Sequence, residues 1–187
     1  MMRKTFIALS LISGFGFAFG QYFEGDVRRE FGVKIGLVKI KYDSIDGSER
    51  DRNLQEFLSA YGHMGAITSA GFSAGVGMEV SSGNYVDRTR SLLISSLELN
   101  PQVDLPLGSV LRFYTGFGGS VNVVKERAGS SIVKDTNFGL QFFLGVKFSP
   151  FPTFGFLGEY KGKIFMTGRY DGNVAHHLNV GFFFNVF

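Results

Sequence analysis

The sequence predicts an all-β fold, an eight-stranded antiparallel up-and-down transmembrane β-barrel, and three observations support it. Apolar and polar residues alternate with period two through most of the chain, as in strands whose two faces meet different surroundings. The 187 residues include 26 glycines and 22 phenylalanines. This length suits one domain and is too short for two ordinary ones.

The first twenty residues are typical of a cleavable signal peptide. Arg3 and Lys4 precede the uncharged run from Thr5 to Gly20, which at 16 residues is shorter than the roughly 18–20 residues that a membrane helix needs. The run ends in small residues, Ala18 and Gly20, as signal peptidase requires. We expect residues 1–20 to be removed and residues 21–187 to form the barrel; an uncleaved anchor is the alternative.

The first four strands are expected at 32–42, 56–67, 70–81 and 90–99. On the first strand, one face carries Val33, Ile35 and Leu37. The second strand is weaker, because Gly62 and Gly65 dilute an apolar face made by Leu58, Ala60, Met64 and Ala66. The third strand alternates clearly, and its apolar face carries Phe72, Ala74, Val76, Met78 and Val80.

The last four strands are expected at 109–122, 136–148, 154–168 and 176–187. The sixth is the most regular, with only Phe143 on the polar face and an apolar face of Phe138, Leu140, Phe142, Leu144, Val146 and Phe148. The eighth places Leu178, Val180, Phe182, Phe184 and Val186 together. Each strand is long enough for a tilted membrane strand, which needs about 9–11 residues.

The connections differ in character and predict an orientation. Ser149–Thr153 and Asn100–Gly108 are short and contain proline, which indicates periplasmic turns. Asp43–Asn53 and Val123–Asp135 are charged, which indicates surface loops.

The composition of the two faces predicts which one meets lipid. The polar face is rich in glycine and serine with isolated charges, which suits the narrow interior of a closed eight-strand barrel. The other face is nearly continuous Phe, Leu, Val and Ile, and no predicted helix covers it, so lipid is the expected neighbour. A soluble barrel with its apolar face inward is the alternative.

Charged residues on the polar face are the candidate functional residues. We expect them to form an ion-pair network that fills the lumen, and the alternative is a selectivity ring in a narrow pore. Eight strands leave room for side chains only, and Tyr114 and Phe143 on the same face would fill much of it. The candidates are Glu79, Glu98, Arg112, Glu159, Lys161, Lys163 and Arg169.

Other chemistry is sparse. His176 and His177 resemble a catalytic or metal-binding pair, but adjacent strand residues point to opposite faces, and we expect both at the barrel rim. The chain has no cysteine, which excludes disulfides and thiolate metal sites. We expect no catalytic residues, cofactor or metal. Loss of Arg3 and Lys4 leaves 17 basic against 16 acidic residues, so the charge gives little reason to expect a nucleic-acid partner.

Several segments of residues 21–187 resemble the small outer-membrane β-barrel proteins of diderm (Gram-negative) bacteria, the OmpA/OmpX/Opa-like group. They are the strands GFSAGVGMEV and NFGLQFFLGVKF, the segment Leu105-Pro106-Leu107-Gly108 and the ending NVGFFFNVF. The resemblance implies an outer-membrane location, contact with outer-membrane lipid and lipopolysaccharide, and assembly by the barrel-assembly machinery through the last strand ending at Phe187. Phe187 departs from the family pattern, because it lies on the opposite parity from the apolar face of its strand.

These observations predict a non-enzymatic, monomeric integral outer-membrane barrel with a filled or very narrow lumen, which stabilises the envelope or presents surface loops. Two alternatives remain open. One is a lipid-modifying hydrolase similar to lipid A deacylases, although no hydroxyl side chain stands two residues after either histidine. The other is a narrow porin.

Overall fold

The computed structural model is a closed barrel of eight strands, each antiparallel to its neighbours in the chain, and the last strand closes onto the first. It describes residues 27–43, 49–67, 72–86 and 90–186. The expected signal peptide and Phe187 lie outside these ranges. The predicted fold class is confirmed. Among the described residues, no helix is long and apolar enough to span a membrane.

The strands follow one another up and down around the barrel. In order they are β1 (Val27–Asp43), β2 (Glu49–Ile67), β3 (Ser73–Val86), β4 (Arg90–Pro106), β5 (Leu111–Ala128), β6 (Ser131–Phe151), β7 (Phe154–Phe165) and β8 (Val174–Val186). A short 3₁₀ helix, η1 (Gly168–Tyr170), lies between β7 and β8. We call the end of the barrel that carries η1 the η1 end, and the other the opposite end.

Most strands are longer than the alternation predicted. The prediction of a loop at Val123–Asp135 was wrong, because β5 and β6 continue through this segment to a two-residue turn at Gly129 and Ser130. Gly129 has φ of +61°, a left-handed conformation that glycine adopts without strain. Strand β2 begins at Glu49, inside the loop expected at Asp43–Asn53.

The predicted turns are also shorter than expected. Strand β4 runs on to Pro106 and β6 to Phe151. Pro101 lies within β4, and the β4–β5 pairing skips from Leu99 to Gln102, because proline has no N–H to donate to the ladder. The two predicted turns share the opposite end, and the two predicted loops share the η1 end.

The middle of the barrel is apolar outside and polar inside, and we call its outer surface, which on β6 runs from Phe138 to Phe148, the apolar belt. On β6, the outward residues from Phe138 to Phe148 are all large, apolar and exposed, whereas Gln141 and Lys147 on the inner face are buried. Ten residue steps at a tilt of about 40° cover about 25 Å along the membrane normal, the height of the apolar band of outer-membrane barrels. This polarity excludes the soluble-barrel alternative.

The polarity inverts toward the η1 end. On β1, Leu37 points outward and is 67% exposed, whereas Val38 points inward and is 1% exposed. The next outward residues are Lys39 and Lys41, and the next inward ones are apolar. We call this part of the barrel the collar; its buried apolar residues are Val38, Ile40, Tyr42, Phe57, Leu92, Ile94, Val124, Phe165, Tyr170 and Ala175. With an apolar inside and a polar outside, the collar lies beyond the hydrocarbon layer.

Candidate functional site: the filled lumen

The lumen contains six of the seven predicted charged residues. Alternation along the strands turns their side chains inward, and all six are buried: Glu79, Glu98, Arg112, Glu159, Lys161 and Lys163. They join four further buried charged residues in two clusters. These four are Glu30, Lys34, Asp104 and Lys147.

The central cluster joins three lysines to three glutamates. Lys34 Nζ lies 2.6 Å from Glu79 Oε2 and 2.8 Å from Glu159 Oε1. Lys161 Nζ lies 2.8 Å from the same Glu79 oxygen and 2.7 Å from Glu98 Oε2. Lys163 Nζ lies 2.6 Å from Glu98 Oε1. The six charges cancel.

The end cluster lies nearer the opposite end and is also neutral. Lys147 Nζ lies 2.6 Å from Glu30 and 3.0 Å from Asp104. Arg112 Nη1 lies 2.7 Å from Glu30 Oε2 and 3.3 Å from Asp104 Oδ2. Each carboxylate therefore contacts two cations, and each cation contacts two carboxylates.

Neutral polar side chains pair with further atoms of the central cluster, in which Glu79 Oε1 alone among the carboxylate oxygens has no partner in the described residues. Asn179 and Tyr114 donate to Glu159 at 3.0 and 3.1 Å. Lys163 donates to Ser96 Oγ at 3.0 Å and to Asn122 Oδ1 at 3.2 Å. Buried charges are tolerated when they are paired and their remaining donors and acceptors are satisfied, and removal of one partner then leaves an uncompensated ion.

Aromatic rings fill the space between the clusters. Lys147 Nζ lies 4.7 Å from the centre of the Tyr114 ring, and Tyr114 and Phe143 pack with centroids 6.2 Å apart. Gly145 admits the Tyr114 ring, because a Cβ there would lie 2.6 Å from two of its carbons. A cavity of about 20 Å³ remains among these side chains, enough for one water molecule.

Arg169 was wrongly predicted to face the lumen. The strand pattern ends at Phe165, so the alternation no longer applies at Arg169, which lies exposed in η1. Its backbone N–H donates to Asp135 Oδ2 at 2.8 Å. Next to it, Tyr170 is buried in the collar and donates to Glu126 Oε2 at 3.0 Å. Burial and the Glu126 carboxylate raise the pKa of Tyr170.

The sequence analysis missed the four further charged residues as site residues, although three had a usable signal. Glu30 and Lys34 are in phase on β1, opposite the apolar face of Val33 and Ile35, and Lys147 is on the polar face of β6. Asp104 carried no such signal, since the sequence placed it in a turn.

His176 and His177 face opposite sides of the barrel wall. His176 faces outward, and its Nδ1 lies 2.7 Å from Tyr160 Oη. His177 faces the lumen, packs edge-on against Phe57 at 4.8 Å, and has no hydrogen-bond partner among the described residues. The opposite orientations match the prediction, but His177 lies inside the barrel rather than among lipid headgroups.

One group of described residues has the composition of a metal site. Potential ligand atoms of Glu30, His63 and Asp104 lie within 4.8 Å of one another, and all three residues are buried. Lys147 and Arg112 already neutralise both carboxylates. A divalent cation would have to compete with two resident cations, so the group does not favour metal binding.

The closed barrel, its apolar belt and its filled lumen define a transmembrane barrel of the outer-membrane type. Three solved structures share the fold. Neisserial surface protein A has a TM-score of 0.61 and 16% identity, covering 82% of this chain and 96% of its own. Ail, the attachment invasion locus protein of Yersinia pestis, has a TM-score of 0.57 and 11% identity, covering 88% of this chain and 100% of its own. OprG from Pseudomonas aeruginosa has a TM-score of 0.55 and 13% identity, covering 87% of this chain and 98% of its own.

These similarities extend over nearly the whole of each known barrel. The predicted resemblance to small outer-membrane β-barrels is therefore confirmed at the level of the fold. No protein-family model matches the sequence, and no curated protein matches it.

Proposed function

We propose that this chain is a non-enzymatic protein of the outer membrane of diderm bacteria, with a closed lumen and its η1 end outside the cell. The observation that carries the proposal is the 20 Å³ cavity between two neutral ion-pair clusters. Export by residues 1–20, assembly through the strand ending at Phe187 and a monomeric state belong to the same proposal.

The closed lumen argues against the narrow porin. A conducting path needs a continuous column of water, whereas this cavity has room for one molecule. The charges of both clusters are held by partners on several strands, so opening a path would expose unpaired ions in a low-dielectric wall.

Conductance in planar bilayers tests the closed lumen. The purified protein should give no large, stable channels. Glu159→Ala removes a carboxylate that holds Lys34 at 2.8 Å and should give small, flickering currents. Ser82→Ala, on the outer face, is the matched control and should behave as the unmodified protein. Large, regular steps from the unmodified protein would establish a porin instead.

The basic surface of the collar supports lipopolysaccharide as a partner. Lys125 on β5 and Lys134 on β6 stand directly opposite each other on the outer face, and both are exposed. Like charges in this position repel each other, and an anion between them would relieve the repulsion. Ail has been crystallised with the heparin analogue sucrose octasulfate, a polyanion of comparable chemistry.

Binding of purified lipopolysaccharide tests this partner. The double variant K125Q/K134Q should bind more weakly, and the weakening should shrink as salt rises, because surface charges are screened. The variant T153A changes an exposed residue at the opposite end and is the control. Equal binding by all three proteins would remove lipopolysaccharide phosphates as the ligand of this surface.

A further inference from the structure

A second cavity, about 760 Å³ in volume, lies at the opposite end of the barrel. We call it the arginine pocket, because its wall includes Arg28, Arg29 and Arg112; Ser149 and Asn185 also line it. It is separate from the ion-pair clusters proposed above to close the lumen, although Arg112 belongs to both.

The charges around the arginine pocket do not cancel. Arg28 adds a positive charge beside the neutral end cluster, where Glu30 and Asp104 attract it and Arg112 repels it. Both carboxylates already contact Arg112 and Lys147. Arg29, in the wall of the pocket, adds a second positive charge. The described charged residues around the pocket therefore carry a net charge of two positive units.

Two guanidinium atoms in the pocket have unused hydrogen-bonding capacity. Arg28 Nη1 and Arg29 Nε are both buried and have no partner in the described part of the chain. A buried donor without a partner is costly, and native proteins pair nearly all of them. Two such atoms on adjacent arginines therefore point to a ligand with acceptor oxygens.

We propose that the arginine pocket binds a phosphate group, either free phosphate or the phosphodiester of a phospholipid. Guanidinium groups pair with phosphate through parallel hydrogen bonds. Arg28 and Arg29 leave β1 on opposite faces, but they lie at the start of the strand and both line the pocket, so their long side chains reach it from two directions. A tetrahedral phosphate presents oxygens in several directions, whereas a carboxylate presents its two oxygens in one plane.

The wall of the pocket gives a phospholipid access. Val186 and Phe151 line it, and both are exposed apolar residues. A lipid in the adjoining leaflet could therefore place its phosphate against Arg29 while its chains stay along the apolar belt.

Titrations followed by ³¹P NMR on the full-length protein in a non-ionic detergent test the proposal. Inorganic phosphate and dihexanoylphosphatidylglycerol are the two probes. Each should shift or broaden its signal saturably with the unmodified protein. Arg28→Gln and Arg29→Gln should each weaken binding at least about tenfold, the effect of losing one hydrogen bond to a charged group. Arg169→Gln, at the η1 end, should have no effect.

The two probes separate the sources of the phosphate group. Binding of both indicates recognition of the group itself, binding of the lipid alone indicates a headgroup site, and binding of phosphate alone indicates a free anion. Heat-modifiable gel migration should verify that each variant is folded. No saturable response to either probe would overturn the proposal, as would responses from folded Arg28→Gln and Arg29→Gln that equal those of the unmodified protein. So would binding that appears only in E24Q/D26N, since carboxylates of the preceding segment would then be the partners.

Discussion

Lys34 and Lys161 donate to the same carboxylate oxygen, Glu79 Oε2, at 2.6 and 2.8 Å. They lie on β1 and β7, with Glu79 on β3, and no two of these strands pair with each other. A single oxygen atom therefore connects three parts of the barrel wall across the lumen. The backbone ladder joins only neighbouring strands, so the ion-pair network supplies the connections across the barrel.

Glu98→Ala should destabilise the barrel strongly. Glu98 accepts from Lys161 at 2.7 Å and from Lys163 at 2.6 Å, and its loss leaves two buried lysines with one carboxylate fewer. The free energy of unfolding should fall by about 3–5 kcal/mol, the cost of breaking a buried pair. Urea titration in detergent micelles measures it. The double variant E98A/K163M removes one cation as well and should recover part of the loss; a single-variant cost near zero would contradict a network that holds the wall together.

Phe142→Arg should destabilise the barrel, because the Phe142 side chain lies on the lipid face in the middle of the apolar belt. There it packs against Tyr160, with ring centroids 5.9 Å apart. The expected loss of unfolding free energy is about 2–4 kcal/mol, the penalty for arginine near the bilayer midplane in a barrel. Phe142→Leu keeps the surface apolar and is the control. The two variants should be compared in lipid vesicles, and equal stabilities would show that residue 142 does not face lipid.

Labelling of cysteine variants tests the orientation. The chain has no native cysteine, and Ser130 and Ser109 are exposed at the η1 end and the opposite end respectively. A membrane-impermeant maleimide added to intact cells should label Ser130→Cys and leave Ser109→Cys unlabelled until the cells are broken. The reverse pattern would place the η1 end in the periplasm.

The contact between Tyr170 and Glu126 should weaken at alkaline pH. Because the pKa of Tyr170 is raised in the folded state, its contribution to stability is fully present below the ordinary tyrosine pKa of about 10 and is lost as pH rises through the folded-state pKa. Tyrosinate absorbance of the unmodified protein minus that of Tyr170→Phe isolates this residue. The difference should appear above pH 10 or so; an earlier midpoint would mean that Tyr170 is not buried beside Glu126.

The sequence predicted the strands well in the membrane belt and poorly beyond it, for a physical reason. Within the belt one rule holds, apolar outside and polar inside, and it identifies Phe138 to Phe148 without ambiguity. In the collar the rule inverts, so Lys125 and Arg127 outside with Val124 inside resemble a charged loop. Period-two alternation continues in the collar, but there the apolar residues point inward and the polar residues point outward.

The partners in the lumen were harder to predict than its lining. Parity shows that Glu159 and Lys161 point inward, but not which residue lies across the barrel from them. Lys34 and Glu159 are 125 residues apart in sequence. They meet because the closure of the barrel and the stagger of its strands place these two residues of β1 and β7 at the same height. Closure and stagger depend on the pairing along every strand, including the register shifts near Gly36, Leu58 and Phe148.

The inverted polarity of the collar also fixes how deep the molecule sits. A downward displacement by two residues, about 5 Å along the normal, would carry Lys39, Lys125 and Lys134 into hydrocarbon. An upward one would place Phe138 and Leu37, at the η1 side of the belt, in water. The barrel therefore has one vertical position, and a bilayer thicker than its belt must thin around it. Folding should be fastest in short-chain lipids, and whatever η1 contacts lies at a constant height above the membrane.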